Sequence, residues 1–186
     1  MNQGIREKIM SLLGPRAGML LGGYWEIVCR RPDGTVKWTE RVKNLVVNEG
    51  LDAILDIMFH AATQITTWYV AIFESDTTIL ATHTYAVPGY TESTAYDEAT
   101  RPEYNEAAAS SQSITNSANK ATFTMNATKT IYGAALVGGG TGPDTKGDTA
   151  GGGTLFCAAQ FSASKSVEDN DTLEVTYTIS AADDGA

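Results

Sequence analysis

The sequence predicts a mainly β protein: an antiparallel β-sandwich, jelly-roll or immunoglobulin-like, with one internal α-helix and a short N-terminal helical arm. Three observations predict it. From Tyr24 onward, runs of β-branched and aromatic residues are separated by turn residues at short intervals. The stretch "DTLEVTYTIS" alternates apolar and polar residues, as a half-buried strand does. Between the strands, "NEGLDAILDIM" changes to the helical period. Many strands and one helix are typical of two packed sheets.

A chain of 186 residues is expected to form one compact domain with an appended arm. Residues 1–23 are predicted to be the arm, and residues 24–186 the sandwich domain. Within the arm, "NQGIREKIMSLL" repeats apolar residues at helical spacing, and Gly14-Pro15 ends the pattern. A helix this short is not stable alone and has to pack on its own body or on a neighbour. The residues of this apolar stripe are Ile5, Ile9 and Leu12 or Leu13.

The first part of the body is predicted to be a hairpin followed by the internal helix. "YWEIVCRR" and "TVKWTERV" flank "PDG", a strong turn signal. The helix is placed at about 48–60, with Asn48 as a plausible N-cap, and it is expected to cover one open end or face of the β core. Its apolar positions are Leu51, Ile54, Leu55 and Met58.

The later strands carry the clearest alternation. Phe123 and Met125 are predicted to point inward, as are Leu173, Val175, Tyr177 and Ile179. Asn170 is expected to tolerate a left-handed conformation in the turn before the last strand. Cys29 and Cys157 are interpreted as buried free thiols. In contrast, residues 74–118 are polar and are interpreted as exposed extended segments and long loops.

Charge is distributed unevenly along the chain. Residues 1–48 hold eight basic and four acidic residues, whereas the remainder holds five basic and 18 acidic ones, for a net charge of −9. Phosphate repulsion makes such a chain a poor general nucleic-acid binder. No apolar run approaches the roughly 20 residues that span a bilayer, and the N-terminus does not resemble a signal peptide. We therefore expect no nucleic-acid or membrane partner, and synthesis in the cytoplasm.

The glycine-rich stretch "ALVGGGTGPDTKGDTAGGGTLF" raises the question of a phosphate-binding loop. A P-loop needs Ser or Thr after its lysine and then a helix. Lys146 is followed by Gly147, and a strand-like sequence comes next. The stretch is therefore predicted to connect two strands, and a loop of this length is expected to be disordered or to become ordered only against a neighbour.

The acidic residues suggest other chemistry only weakly. Five of them share a tyrosine-rich stretch, where a sugar site or a glycosidase pair is an alternative to a solvated loop. "EDNDT" lacks the spacing of a calcium loop and is interpreted as a turn. No nucleophile motif accompanies His60 or His83. We expect no catalytic residue, cofactor, metal ion or small-molecule substrate. The five acidic residues are Glu92, Asp97, Glu98, Glu103 and Glu106.

From Tyr24 to Ala182 the chain resembles small virion proteins of tailed bacteriophages. The segments that carry the resemblance include "NLVVNEGLDAILD", "YTESTAYDEATRPEY" and "GGTLFCAAQFSASKSVEDNDTLEVTYTIS". Its most specific parts are Arg101-Pro102 after a tyrosine-rich stretch and the closing pattern F-x5-V-x3-D-x-L-x-V-x-Y from Phe161 to Tyr177. Where relatives tend to have Gly-Asp in the last turn, this chain has Asn170-Asp171.

The resemblance implies a non-enzymatic structural protein of the virion. We expect a capsid decoration or cement protein on the capsid surface, with the major capsid protein and neighbouring copies of itself, as a homotrimer or dimer, for partners. The alternative is a tail, fibre or collar protein that contacts the host or the connector, with glycan binding through residues 85–104. Charge and amphipathicity, not the resemblance, suggest which residues contact partners. These are Ile5, Arg6, Lys8, Ile9, Leu13, Arg16, Arg30 and Arg31.

Overall fold

A computed structural model describes residues 18–183, which form two antiparallel sheets and one short helix. The mainly β prediction is confirmed. In the first sheet the strand order is β2-β1-β9-β5, and β6 also pairs with β9; in the second the order is β3-β8-β7-β4. The strands are β1 (Met19–Arg30), β2 (Val36–Lys43), β3 (Leu45–Val46), β4 (Trp68–Phe73), β5 (Ser113–Thr115), β6 (Ala121–Thr124), β7 (Lys129–Gly138), β8 (Thr154–Val167) and β9 (Thr172–Asp183).

Inward-facing side chains of the two sheets share one apolar core. Trp25 of β1 stacks on Tyr177 of β9 with ring centroids 4.1 Å apart, and both are fully buried. Val70 and Ile72 of the second sheet belong to the same cluster. The predicted alternation of β9 is confirmed, because Leu173, Val175 and Tyr177 are buried and Ile179 packs against them. Phe123 and Met125 also lie in the core, as predicted.

Two tight turns form at the residues from which they were predicted. β1 and β2 form the expected hairpin around Pro32-Asp33-Gly34. The Asp33 carboxylate accepts hydrogen bonds from the backbone N–H of Thr35 at 2.9 Å and from its hydroxyl at 2.7 Å. In the turn between β8 and β9, Asn170 has a φ of 65° and thus takes the expected left-handed conformation. Asp171 of that turn is buried, and its carboxylate closes the turn by accepting the backbone N–H of Glu168 at 2.9 Å. The same carboxylate pairs with Lys37 of β2 at 2.6 Å.

Helix α1 spans Asn48–Phe59, close to the predicted range. Asn48 is not its N-cap: Val47 holds that position, and no side chain caps the helix. The first turn packs closely on β8, where a Cβ at Gly50 would collide with the backbone of Phe156. The predicted apolar stripe is mostly not buried. Only Ile54 packs against the core, so the expectation that the stripe covers the β core is corrected.

The boundary between arm and body also differs from the prediction. β1 begins at Met19, which pairs with Asp183, and the pairing with β9 continues without interruption to Arg30. Residues 19–23, assigned to the arm, therefore belong to the first sheet. The predicted arm helix lies outside the described residues. Within residues 18–183, no helix is long and apolar enough to cross a membrane.

The two cysteines give a direct test of the core. Both are buried free thiols, as interpreted from the sequence, and burial raises the pKa of each thiol to about 12. A thiolate is the reactive species, so at pH 8 we expect iodoacetamide to modify neither Cys29 nor Cys157 in the folded protein and both in denaturant. Mass spectrometry measures the labelling. A Val87→Cys variant, at a position 69% exposed, should be labelled once; labelling of a native cysteine at a comparable rate would contradict this core.

Candidate functional site

A buried arginine organises the polar groups of the molecule. Arg101 is 3% exposed and forms a two-pronged ion pair with Glu92, with Nε 2.8 Å from Oε1 and Nη2 2.5 Å from Oε2. Its remaining N–H groups donate to the carbonyls of Pro143 and Asp148 at 2.8 and 2.9 Å, and to the Tyr85 hydroxyl at 3.1 Å. We call Tyr85, Glu92, Arg101 and Asp148 the Arg101 cluster.

Tyr85 links the Arg101 cluster to the helix and to the glycine-rich loop, residues 139–153. Its hydroxyl donates to the Asp148 carboxylate at 2.8 Å, and its backbone N–H donates to Glu49 of α1 at 2.8 Å. Glu49 also accepts the backbone N–H of Leu155, at 2.6 Å, where the loop enters β8. A Cβ at Gly153 would overlap the Tyr85 ring, so the loop backbone needs a glycine there.

The ionisation of the cluster follows from these contacts. Burial alone would lower the pKa of Arg101, but the hydrogen bonds and negative charge of Glu92 raise it above its ordinary value. Hydrogen bonds from the Tyr85 hydroxyl and the Gly151 N–H lower the pKa of Asp148. Burial raises the pKa of Tyr85, and Asp148 adds to that effect. Arg101 is therefore charged and Tyr85 protonated at neutral pH. The buried charge of Arg101 is thus paired with Glu92 inside the cluster.

The tyrosine-rich stretch is not an exposed loop as expected. Residues 90–104, here the edge segment, run along β4, with backbone hydrogen bonds from Ser93 to Ile72 at 2.8 Å and from Tyr104 to Trp68 at 2.8 Å. The edge segment also reaches the first sheet, where Asp97 N–H donates to Thr124 at 2.8 Å. It therefore joins the two sheets along one side of the molecule.

The tyrosines of this region are core residues. Tyr85, Tyr96 and Tyr104 are each at most 3% exposed. Tyr90 stacks on Phe73 with centroids 4.5 Å apart. A cavity of about 270 Å³ lies beside the Arg101 cluster, but the arginine that lines it is already hydrogen-bonded within the chain. The rings of Tyr85, Tyr96 and Tyr104 are thus covered, whereas Tyr90 is half-buried and lines this cavity.

Two of the five acidic residues considered for catalysis, Glu92 and Glu98, have structural partners. Glu92 holds Arg101, and Glu98 accepts the backbone N–H of Thr124 with both carboxylate oxygens at 3.0 Å. Glu92 also accepts the backbone N–H of Gly147 at 3.1 Å, so the two carboxylates tie the edge segment to the glycine-rich loop and to β6. Within residues 18–183, no group of three or more His, Cys, Asp or Glu side chains could hold a metal ion.

The glycine-rich loop connects β7 to β8, as predicted, and no helix follows it. It is held by its own subunit and not, as expected, only by a neighbour. Lys146 Nζ donates to the carbonyl of Tyr96 at 2.6 Å and lies 3.9 Å from the centroid of the Tyr96 ring. Together with the Arg101 contacts to Pro143 and Asp148, this bond fixes the loop on the edge segment. The lysine that suggested phosphate binding is a structural tether.

Two of the eight predicted partner-contact residues, Arg30 and Arg31, lie in the described part of the chain. Arg30 pairs with Glu174 at 3.1 Å, and Arg31 donates to the carbonyl of Val36 in the hairpin turn at 3.5 Å. Both lie at the opposite end of β1 from Met19, about 35 Å away for a strand of this length. The other six lie outside the described residues. They are Ile5, Arg6, Lys8, Ile9, Leu13 and Arg16.

The sequence analysis missed one surface feature. Four large apolar side chains of α1 are exposed, and we call them the helix face. The signal was present in the sequence as helical spacing, but it was assigned to the core. The helix face consists of Leu51, Leu55, Met58 and Phe59, with exposures of 41, 55, 67 and 81%.

No protein-family model matches the chain, and no curated protein matches it in sequence.

The geometry of the Arg101 cluster leads to a prediction about the stability of the protein. Replacing Glu92 with Gln, or Arg101 with Met, leaves a buried charge without its partner, and we expect each variant to lose about 3–5 kcal/mol of unfolding free energy. Removing both charges together, in Glu92→Gln/Arg101→Met, should cost less than the sum of the single losses because neither charge is left unpaired. Urea denaturation followed by tryptophan fluorescence measures these changes.

The matched control is Arg41→Met. Arg41 pairs with Glu26 at 3.4 Å, but both side chains are about half exposed, so its removal should change stability by about 1 kcal/mol or less. Additive losses in the double variant, or single losses as small as that of the control, would show that the Arg101 pair does not hold the loop.

Proposed function

We propose that the protein is a non-enzymatic structural protein of a bacteriophage virion, of the capsid decoration or cement type. Its body would be a β-sandwich of jelly-roll or immunoglobulin-like class that binds the shell of the major capsid protein. The resemblance of residues 24–182 to small virion proteins motivates the proposal. No cofactor or small-molecule substrate is part of it.

The observation that carries the proposal is that the buried charged side chains join segments of the chain to one another. Arg101, Glu92 and Lys146 all connect the glycine-rich loop to the edge segment. On the other side of the molecule, Lys165 pairs with Glu40 at 2.7 Å and so connects β8 to β2. Enzyme sites place charged groups around a cleft where they face substrate. Charges that instead join one segment to another favour a protein whose task is to keep its shape under load.

Surface chemistry agrees with a role in assembly. The chain carries a net charge of −9, so solvent-facing surfaces of neighbouring particles would repel one another. Exposed apolar side chains concentrated on one helix are typical of a protein–protein contact. Closed oligomers, a trimer or a dimer, would add avidity on a symmetric shell.

Copy number tests the proposal. Purified particles that contain this protein are analysed by quantitative mass spectrometry, with the major capsid protein as the internal standard. We expect a ratio near a simple fraction of the capsid protein, which corresponds to several hundred copies on a large shell. Particles that lack the protein should release their DNA at a lower temperature, as measured by the fluorescence of a DNA-binding dye.

A count of about a dozen or fewer copies would overturn the decoration role. The tail, fibre or collar alternative predicts that low number, and immunogold labelling would then place the protein at the tail or the connector. Normal copy number with unchanged DNA release would retain the surface location and refute the cementing role.

A further inference from the structure

An apolar groove lies between the start of β1 and α1. It is lined by Met19, Leu20 and Leu21 on one side and by Leu51, Ile54 and Leu55 on the other, and its volume is about 420 Å³. A second cavity of about 310 Å³ shares Leu21 and Ile54 with it and reaches Trp68 and Phe156 between the sheets. Leu21 and Ile54 thus line both the groove and the cavity that reaches between the sheets.

The exposure of the groove residues is high for apolar side chains. Met19 and Leu20 are 65 and 60% exposed, and Phe59 at the end of the helix face is 81% exposed. Scattered apolar residues on a surface are ordinary, but a contiguous set marks a contact site. Together the groove and the helix face present apolar side chains along about 12 Å of α1, from Leu51 to Phe59, to an apolar partner.

The chain itself carries a segment of matching pattern and length. Residues 2–13, here the arm segment, place Ile5, Ile9 and Leu12 or Leu13 on one helical stripe. As a helix the arm segment would be about 18 Å long, the same as α1 with its 12 residues. An apolar stripe on a helix this short requires a packing partner.

The connection between the arm segment and the groove is short. Residues 14–18 lie between them, and Met19, the first residue of β1, lines the groove itself. A helix and the strand that follows it are commonly joined by about 2–6 residues. The connection contains Gly14, Pro15 and Gly18, which are the residues that chain reversals use. Its length and composition suit a return of the arm segment along α1.

Charge also favours this occupant. Asp52 and Asp56 are exposed on α1, beside the helix face. In the described part of the chain, no basic side chain lies within ion-pair distance of either. Arg6 and Lys8 flank the apolar stripe of the arm segment, where they would face such carboxylates across a helix pair.

We propose that the arm segment docks in this groove of its own subunit, as a helix antiparallel to α1. A five-residue connection keeps the segment at a high effective concentration near its own groove, so the intramolecular site fills before the site on another copy. Ile5, Ile9 and Leu13 are then internal contacts and not the anchors on a neighbour that the sequence suggested. This docking goes beyond the proposed function and requires no virion partner.

Hydrogen–deuterium exchange on the full chain tests the docking. In Ile5→Asp/Ile9→Asp the stripe carries charge, and we expect amides of residues 51–59 to exchange at least 10-fold faster than in the unchanged protein. The Ser11→Asp variant changes the opposite side of the arm segment and should leave that exchange as it was. Amides of β9 report whether the body remains folded and should not change in either variant.

A crosslinking experiment shows whether the arm segment in the groove comes from the same chain or from a second copy. Ile9→Cys/Leu55→Cys is oxidised at low protein concentration, and we expect a disulfide within one chain, which migrates as a monomer on a non-reducing gel. Ile9→Cys/Val87→Cys is the control and should not crosslink within the chain. A disulfide-linked dimer as the main product would mean that a second copy fills the groove. Unchanged exchange of residues 51–59 in Ile5→Asp/Ile9→Asp would overturn the docking altogether.

Discussion

The ion pair between Arg101 and Glu92 is the interaction on which the order of the long loops depends. Burying a guanidinium is unfavourable unless its charge is paired and its N–H groups are satisfied. Glu92 supplies the charge, and the carbonyls of Pro143 and Asp148 accept the remaining hydrogen bonds. The edge segment and the glycine-rich loop can therefore be ordered only together, because each provides part of the shell that one arginine requires. This coupling compensates for the conformational freedom of a loop rich in glycine.

Features with a local sequence signal could be predicted from the sequence. The β1–β2 hairpin, the range of α1, the alternation of β9 and the left-handed Asn170 each depend on residues within a few positions of one another. The Arg101 cluster could not be predicted in this way, because its members are up to 63 residues apart in the chain. The helix face shows a further limit. A spacing of three and four residues indicates that one side of a helix is apolar, but it does not indicate which partner covers that side.

The edge segment shows how a stretch of polar composition can form part of the packed body. Its tyrosines supply apolar rings to the core, while its backbone bonds to β4 and its carboxylates hold a loop and a strand. Composition alone made the segment resemble an exposed loop. On the opposite side, Glu40 and Trp38 of β2 bond to β8. Both sides of the two-sheet body are therefore closed by side chains and short backbone contacts, which limits the unpaired strand edges available to other chains.

The antiparallel pairing of β1 with β9 gives the subunit a direction. Met19 and Asp183 pair at one pole, beside the apolar groove, whereas Arg30 and Thr172 pair at the other, next to two charged turns. One pole therefore carries both ends of the described chain and most of the exposed apolar surface. The other pole carries the two charged turns, which attract counterions. If the subunit binds a surface through one pole, its other pole faces away from that surface. Copies bound through the same pole would present a uniform outer layer.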